Sequence, residues 1–447
     1  MRRMYLCSLV LIAFTGCGEQ PPGSVSSADA QEAAPPVAAD DASRASDDPS
    51  AKSDKDPSES DAKAPVWPNW LGPNYDGVSR ETGWKSDWDA DGPTELWKVG
   101  VGIGYSSVSV DAGRLYAMGY RDGKETVYCL NVENGKSLWN HSYDAPLVNN
   151  LNAGGPGATP TIDGPRLVCN GRGGRVHCYD RETGEVLWQV DLRETLGIPL
   201  PEWGFTCSPR VYGDWLLMEA GRVFALDRKT GKLIWKTKAY DPGYGTPTVF
   251  RHGEEDLVAA HTCTGLLIVK AKDGSEVARQ DWDSPFNTNS TTPIVVDDLI
   301  FISTGYNVGC GLFRLQEGKL TRVYANRDMR NHFNNSVLHK GYLYGFDGNS
   351  NLGRIVTLVC MNHKTGEVAW SKSGFGCGSV LIADDKLIIL SDEGTLAIAE
   401  ASSKSFQPLA QAKVLSGQCW TVPVLADGRI YCRGSAGTLV CVDVRGE

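Results

Sequence analysis

The sequence predicts an all-β protein, an eight-bladed β-propeller closed by an N-terminal strand. Its 447 residues include 50 glycines and 13 tryptophans, which indicates many tight turns and a recurring aromatic position. One residue spacing repeats along the chain, and its last copy lacks an outer strand that a segment near the N-terminus would supply. These observations predict a ring of small sheets over residues 67–447.

Residues 1–16 have the layout of an export signal. Two arginines precede an apolar stretch, Leu6–Phe14, which is too short to span a membrane as a helix. The end of this segment resembles a bacterial lipobox, although Phe14 stands where leucine is usual. The resemblance implies that Cys17 becomes the lipidated first residue of an exported protein, on the periplasmic side of the outer or inner membrane. The alternative is an ordinary cleaved signal peptide with Cys17 incidental.

Residues 17–66 form an acidic segment rich in Ala, Ser, Asp and Pro, without an aromatic residue. Such a composition buries too little apolar area to offset the entropy of ordering, so we expect a disordered tether. Eleven acids and four bases lie in residues 18–66, so most of the net charge of −10 belongs to the tether. The predicted propeller is only weakly acidic and has no basic stripe, which argues against nucleic-acid binding.

A frame of one small residue, Asp or Asn, Gly and Trp recurs with the spacing small-x-Asp/Asn-x3-Gly-x3-Trp. We interpret it as a hairpin in which Asp or Asn caps the turn, Gly takes a positive φ and the next strand carries the Trp. Four segments match the spacing: Cys129–Trp139, Cys178–Trp188, Ala225–Trp235 and Cys360–Trp370.

Diverged copies complete the ring. Gly274 keeps the frame but its aromatic residue, Trp282, comes late; Gly318 precedes Tyr324; and the copy near residue 400 lacks both Gly and Trp. The last copy, Cys441-x-Asp443, has no outer strand, and residues 94–99 carry the missing pattern. Each aromatic residue is expected to pack against the neighbouring blade. The predicted docking residues are Trp97, Trp139, Trp188, Trp235, Trp282 and Trp370.

The frame resembles the tryptophan-docking motif of the PQQ-like (quinoprotein-like) propeller family. The stretch Trp67-Pro68-x-Trp70-x-Gly72-Pro73-x3-Gly77-Val78-Ser79 resembles the opening signature of its bacterial envelope branch. The resemblance implies one of two roles. Some members are dehydrogenases that bind pyrroloquinoline quinone and calcium, and others are non-catalytic lipoproteins similar to the BamB-type outer-membrane assembly factor.

We expect the second role, a non-enzymatic scaffold of the cell envelope that binds proteins or peptide segments as a monomer. No two cysteines are adjacent, no Cys-x-x-Cys-His is present, and no calcium ligands fall on a matching motif. The sequence therefore predicts no catalytic residue, metal or cofactor. A dehydrogenase that uses pyrroloquinoline quinone and calcium is the alternative, and a carbohydrate-binding or sensor module is a second one.

The candidate site lies in the loops that enter the innermost strands, because in a propeller these loops surround a central funnel. Their aromatic and amide groups suit a small polar ligand or a peptide, but they could equally fill the funnel and satisfy one another. The longest of these loops, residues 140–156 and 189–204, are expected to contribute most to specificity. The candidate residues are Tyr105, Asn150, Trp203, Phe205, Tyr244, Asn289, Arg330, His332, Asn334 and Trp420.

Overall fold

The computed structural model describes residues 66–89, 91–350 and 356–446. The predicted signal peptide, Cys17 and the tether up to residue 65 lie outside these residues. Within the described ranges, no helix is long and apolar enough to cross a membrane. The strands of this part of the chain form eight sheets, arranged as the eight blades of a propeller.

The first half of the ring follows two strands of the N-terminal region, β1 (Val78–Ser79) and β2 (Glu95–Gly100). Each blade runs from a short inner strand to an outer one, all antiparallel. Blade 1 contains β3 (Ser109–Asp111), β4 (Arg114–Arg121), β5 (Lys124–Asn131) and β6 (Ser137–Asp144). Blade 2 contains β7 (Thr161–Asp163), β8 (Arg166–Asn170), β9 (Arg175–Asp180) and β10 (Val186–Asp191), followed by α1 (Leu192–Leu196). Blade 3 contains β11 (Arg210–Tyr212), β12 (Trp215–Glu219), β13 (Val223–Asp227) and β14 (Leu233–Lys236). Blade 4 contains β15 (Thr248–His252), β16 (Glu255–Thr262), β17 (Gly265–Lys270) and β18 (Glu276–Asp281).

The second half of the ring repeats this order and ends in the closing blade. Blade 5 contains β19 (Ile294–Val296), β20 (Leu299–Thr304), β21 (Gly309–Gln316) and β22 (Lys319–Asn326). Blade 6 contains β23 (Val337–His339), β24 (Tyr342–Asp347), β25 (Thr357–Asn362) and β26 (Val368–Ser373). Blade 7 contains β27 (Ser379–Ala383), β28 (Lys386–Leu390), β29 (Thr395–Glu400) and β30 (Pro408–Lys413). Blade 8 contains β31 (Val424–Ala426), β32 (Arg429–Arg433) and β33 (Thr438–Asp443), with β2 as its outer strand.

The closure by an N-terminal strand is confirmed. β2 pairs antiparallel with β33, with Trp97 opposite Cys441. The same small-to-Trp pairing joins Cys129 to Trp139 within blade 1. Because the first and last strands share one sheet, the ring has no unpaired strand at its junction.

The recurring frame forms the expected hairpin turn. In blade 2, the Asp180 carboxylate accepts hydrogen bonds from the backbone N–H groups of Glu182 and Thr183, at 3.0 and 2.9 Å. Gly184 follows at a φ of 77°. A Cβ at this glycine would lie 2.6 Å from the Trp139 ring of blade 1, so the glycine is needed for both its φ and its lack of a side chain.

In most blades, the docking aromatic residue also donates a hydrogen bond to the next blade. The indole N–H of Trp97 reaches the Val132 carbonyl at 2.7 Å, and that of Trp139 reaches the Arg181 carbonyl at 3.0 Å. In blade 5 the hydroxyl of Tyr324 takes the same role, with the His363 carbonyl at 3.0 Å. The polar edge of these rings is thereby satisfied while their faces are packed, whereas the buried indole N–H of Trp235 has no hydrogen-bond partner among the described residues.

Trp282 contacts the next blade but does not hold the docking position. Ala278 is the residue opposite Ile268, at the position where most other blades place their aromatic ring, and blade 7 likewise has Ala410 opposite Ile398. Trp282 lies four residues further along the chain, edge-on to Phe313 at 5.8 Å, with its N–H 3.1 Å from the Thr304 hydroxyl. Blade 4 therefore uses a ring from the loop that follows its outer strand.

The N-terminal segment, residues 66–81, crosses the central channel. Trp67 forms a bridge with Val110 of blade 1, and three residues later the indole N–H of Trp70 donates to the Thr292 hydroxyl next to blade 5, on the opposite side of the ring. Strand β1 then pairs in parallel with β27 of blade 7. The segment thus touches inner strands around the ring and closes one end of the channel.

Candidate functional site

A funnel with a cavity of about 210 Å³ lies at the centre of the ring. Its wall is built from loops that enter the inner strands, because these loops meet around the axis. In every blade except blade 7, the loop that precedes the inner strand contributes described residues to the lining. Trp70, from the segment that crosses the channel, also lines the cavity, so the funnel has a floor and one mouth.

Aromatic rings cover much of the funnel wall. Trp420 stacks on Tyr105 with 5.9 Å between ring centroids, and the Phe333 ring lies 4.6 Å from Trp420. His332 follows at 4.7 Å from Phe333, and Tyr306 is edge-on to His332 at 4.9 Å. The result is a continuous aromatic surface that can bind an apolar group or the face of a ring.

Two titratable groups of the funnel, His332 and Tyr244, have pKa values shifted away from neutral pH. Burial lowers the pKa of His332 to about 4, and its ring nitrogens lie 3.0 Å from the Tyr306 hydroxyl and 3.3 Å from the Ser350 hydroxyl. Burial also raises the pKa of Tyr244. A general acid or base works best with a pKa near the operating pH, so these two groups are placed for binding rather than for proton transfer.

Six of the ten residues proposed from the sequence line the funnel. They share one origin, the loop that precedes an inner strand, where a side chain can face the axis. They are Tyr105, Trp203, Tyr244, His332, Asn334 and Trp420.

The other four have different surroundings. Asn150 sits at the mouth and donates to the Glu202 carboxylate at 3.0 Å, next to the lining residues Leu151 and Asn152. Phe205 is buried in the core between blades 2 and 3. Asn289 is fully buried, and its amide donates to the carbonyls of Thr262 and Trp282. Arg330 forms a two-pronged ion pair with Asp347, with both N–O distances 2.6 Å.

The charged lining residue that sequence reasoning missed is Arg172. It lies in the turn between β8 and β9, within the run Gly171–Gly174, and its side chain is 5% exposed in total. A Cβ at Gly204 would lie 2.8 Å from its side-chain carbons, and one at Gly157 would lie 3.1 Å from Nη1. The glycines clustered around Arg172 were the signal in the sequence that could have indicated this position, since glycines permit close approach of another group.

The mouth of the funnel carries exposed apolar side chains. Leu151 is 83% exposed and is held at a φ of 52°, which is unusual for a bulky residue. Phe286 is 56% exposed, and its ring lies 4.7 Å from that of Tyr306. Exposed apolar groups and backbone strain concentrate at binding sites, so the mouth extends the candidate site outward.

The fold and funnel define a β-propeller with a blind central pocket. The sequence profile of the family described as outer membrane protein assembly factor BamB matches residues 75–170 and 124–372. These matches cover more than half of the chain, which therefore belongs to this family of PQQ-like β-propellers. No curated protein sequence matches the chain significantly.

Solved structures share the fold at low sequence identity. BamB from Moraxella catarrhalis is 16% identical with a TM-score of 0.58, over 78% of this chain and 99% of that one. Quinohemoprotein alcohol dehydrogenase from Comamonas testosteroni is 12% identical with a TM-score of 0.63, over 86% and 81%. A europium-containing methanol dehydrogenase is 11% identical with a TM-score of 0.59, over 84% and 89%. Structures of both functional groups match, so the likeness establishes the fold and leaves the activity open.

The funnel does not fit a calcium ion. Calcium prefers carboxylate oxygens, and the described lining residues offer only amide, hydroxyl, phenol and backbone oxygens. The Arg172 guanidinium, which is the charged group among the described lining residues, would repel a cation. An aromatic wall beside an arginine could accept the anionic ring system of a quinone, but the described lining offers no carboxylate for a metal ion.

Proposed function

We propose that this protein is a non-enzymatic scaffold of the cell envelope, which binds proteins or peptide segments during assembly of outer-membrane proteins. One observation carries the proposal: the funnel is a blind pocket with aromatic walls, an apolar mouth and no described carboxylate in its lining. Such a surface binds apolar side chains and backbone polar groups. Membership of the BamB family supports the setting.

The envelope location rests on the predicted signal and on the family. The proposal holds that Cys17 carries the lipid and that the acidic tether spaces the propeller from the membrane. We expect Cys17→Ser to release the protein into the soluble fraction, while Cys7→Ser, within the leader, leaves it at the membrane. An unchanged membrane fraction for Cys17→Ser would contradict the lipid anchor.

Site-specific photo-crosslinking of the full chain tests the binding role. A photo-reactive residue at Leu151, on the mouth, is expected to give adducts with proteins of the outer-membrane assembly machinery. The matched control is Leu409, which is also exposed but lies on outer strand β30, away from the funnel. Equal labelling from the two positions, or none from Leu151, would argue against the funnel as the binding surface.

The dehydrogenase alternative makes a separate prediction. If it holds, the purified protein mixed with pyrroloquinoline quinone and calcium should reduce an acceptor dye when an alcohol or a sugar is added. We expect no turnover, because the described lining of the funnel holds no carboxylate ligand and burial keeps its histidine neutral. Dye reduction above the rate without protein would overturn the scaffold proposal.

Carbohydrate binding is the second candidate. The rings of Tyr105 and Trp420 line the same cavity as Asn152 and Asn334, and aromatic rings can pack against a sugar ring. Titration with a panel of neutral oligosaccharides, followed by tryptophan fluorescence, tests this candidate. A saturable change that Trp420→Ala removes would favour it over the scaffold role.

A further inference from the structure

Arg172 is a buried cation without an acidic partner. Among the described residues, no carboxylate lies within ion-pair distance of its guanidinium, and its Nε is buried without a hydrogen-bond partner. The nearby Glu125 carboxylate is engaged elsewhere: it accepts from the backbone N–H of Arg172 at 2.9 Å and from the Tyr143 hydroxyl at 2.7 Å. Buried charges are normally paired, so the unpaired guanidinium calls for an explanation.

The surroundings of Arg172 are shaped to hold it in the funnel wall. Gly157 and Gly204 border its side chain, and a methyl group at either position would crowd it. Its carbonyl accepts from the Phe205 backbone N–H at 2.9 Å, which fixes the turn from which the side chain extends. The guanidinium thus lies in a built position on a cavity with aromatic walls, where low polarity strengthens any contact with an anion.

We propose that Arg172 binds the carboxylate of a ligand whose apolar or aromatic part lies against the funnel wall, and that this ligand is the C-terminal residue of a polypeptide. This inference rests on the scaffold function and specifies what its funnel recognises. Arginine binds a carboxylate through two parallel hydrogen bonds, and the rings of Trp203, Tyr244 and Trp420 line the same cavity.

The blind floor favours a chain end over an internal segment. A chain that enters the mouth cannot pass Trp70, so an internal segment would have to fold back on itself within about 210 Å³. A chain end needs to order only its last residues, which costs less entropy. The exposed Leu151 and Phe286 at the mouth can contact the residues that precede the end.

Calorimetric titration of the full chain with three probes tests the proposal. The probes are acetyl-Gly-Ser-Gly-Ser-Phe with a free carboxylate, the same peptide as its C-terminal amide, and 3-phenylpropionate. We expect the free-acid peptide to bind about tenfold or more tightly than the amide, because the amide cannot form the charge-assisted pair. We also expect it to bind more tightly than the small acid, because it adds contacts at the mouth.

Substitutions at Arg172 assign the preference to this residue. Arg172→Met should abolish the difference between acid and amide, and Arg172→Lys should restore part of it. Thermal unfolding of the Met variant should occur at or above the wild-type temperature, because an unpaired buried charge is removed. Arg175→Gln, at an exposed position beyond the same turn, is the matched control and should keep the full preference.

The outcomes separate this proposal from the scaffold function. Equal affinity of the wild-type protein for the free-acid peptide and its amide would overturn the carboxylate site, whatever the variants do. The scaffold role would then still be tested by the crosslinking experiment. Tight binding of 3-phenylpropionate without binding of the peptide overturns the assignment to a polypeptide end, and indicates a free organic acid as the ligand. A preference for the acid that persists in Arg172→Met also overturns the proposal.

Discussion

Buried and half-buried polar residues divide into those that complete the fold and those that do not. Asn289 and Arg330 satisfy backbone carbonyls and a neighbouring carboxylate, so they stabilise the loops that carry them. Arg172 has no comparable partner in the described part of the chain, and for that reason it is the residue to which we assign binding. The identity of the side chain does not separate the two arginines; only their surroundings do.

Glu219 belongs to a third kind, a buried carboxyl group away from the funnel lining. It accepts hydrogen bonds from the backbone N–H groups of Gly221 and Gly243 at 2.8 and 3.1 Å. Burial nevertheless raises its pKa to about 8, from an ordinary value of 4.5. The folded protein therefore holds a proton that the unfolded chain releases between these two values.

Glu219 predicts a specific pH dependence of stability. The contribution of Glu219 to the free energy of unfolding is fully present below about pH 4.5 and is lost as the pH rises through about 8. Between these pH values the folded state binds more protons than the unfolded chain does. Glu219→Gln removes the ionisable group. The free energy of unfolding of this variant minus that of the wild type should therefore increase as the pH rises from 5 to 8. Urea unfolding at several pH values measures this gain. Glu254→Gln, at an exposed position, controls for the loss of one charge, and parallel profiles for Glu219→Gln and wild type would contradict the prediction.

At the scale of the blade, the hairpin and the docking ring depend on each other. Gly184 provides the turn in one blade and the flat surface for Trp139 of the preceding blade. Gly135 does the same for Trp97, and Gly366 for Tyr324. The frame was visible in the sequence because one local geometry is used repeatedly, with the same spacing between turn and ring.

Substitution of Gly184 tests this dependence. Gly184→Ala should lower the free energy of unfolding through two effects, an unfavourable positive φ and a contact of 2.6 Å with the Trp139 ring. Gly113→Ala has nearly the same φ, 75° against 77°, but its Cβ would meet no atom within 4 Å. The difference between the variants in chemical denaturation isolates the packing effect, which we expect to be about 1–3 kcal/mol. Equal losses would show that the ring moves aside.

At the scale of the whole molecule, closure links the two ends of the described chain. β2 supplies the outer strand of blade 8, and Trp97 on this strand packs against Gly135 of blade 1 and against Tyr431 at 5.9 Å. The same residue therefore joins the first and last blades. A weakness here should affect the entire ring rather than one sheet.

Trp97→Ala is the test of closure. We expect a loss of about 3–5 kcal/mol in the free energy of unfolding, as for other large-to-small core substitutions, with all blades unfolding together at lower denaturant. Circular dichroism and tryptophan fluorescence during denaturation should shift in parallel. Leu138→Ala, on the half-exposed face of β6, is the control and should change stability by no more than about 0.5 kcal/mol. An unchanged midpoint for Trp97→Ala would mean that the backbone pairing of β2 suffices for closure.

The position of the funnel could be predicted from the sequence more completely than the identity of the groups that line it. Loops before inner strands must surround the axis of a propeller, so Tyr105, Trp203 and Trp420 could be placed there from the repeat alone. Whether a particular residue of such a loop turns inward depends on hydrogen bonds to other blades, as Asn289 shows. Trp282 likewise matched the repeat in type but not in position.

By itself, the sequence determined the architecture: eight repeats, the hairpin in each and closure by the N-terminal strand. These features follow from short-range turn chemistry repeated at one spacing, and such chemistry can be read along the chain. Only the tertiary structure decided that residues 66–81 close the channel, that Arg172 lies unpaired in its wall and that Arg330 does not. Those facts depend on contacts between residues far apart in sequence, such as Trp70 with Thr292, which no local pattern encodes.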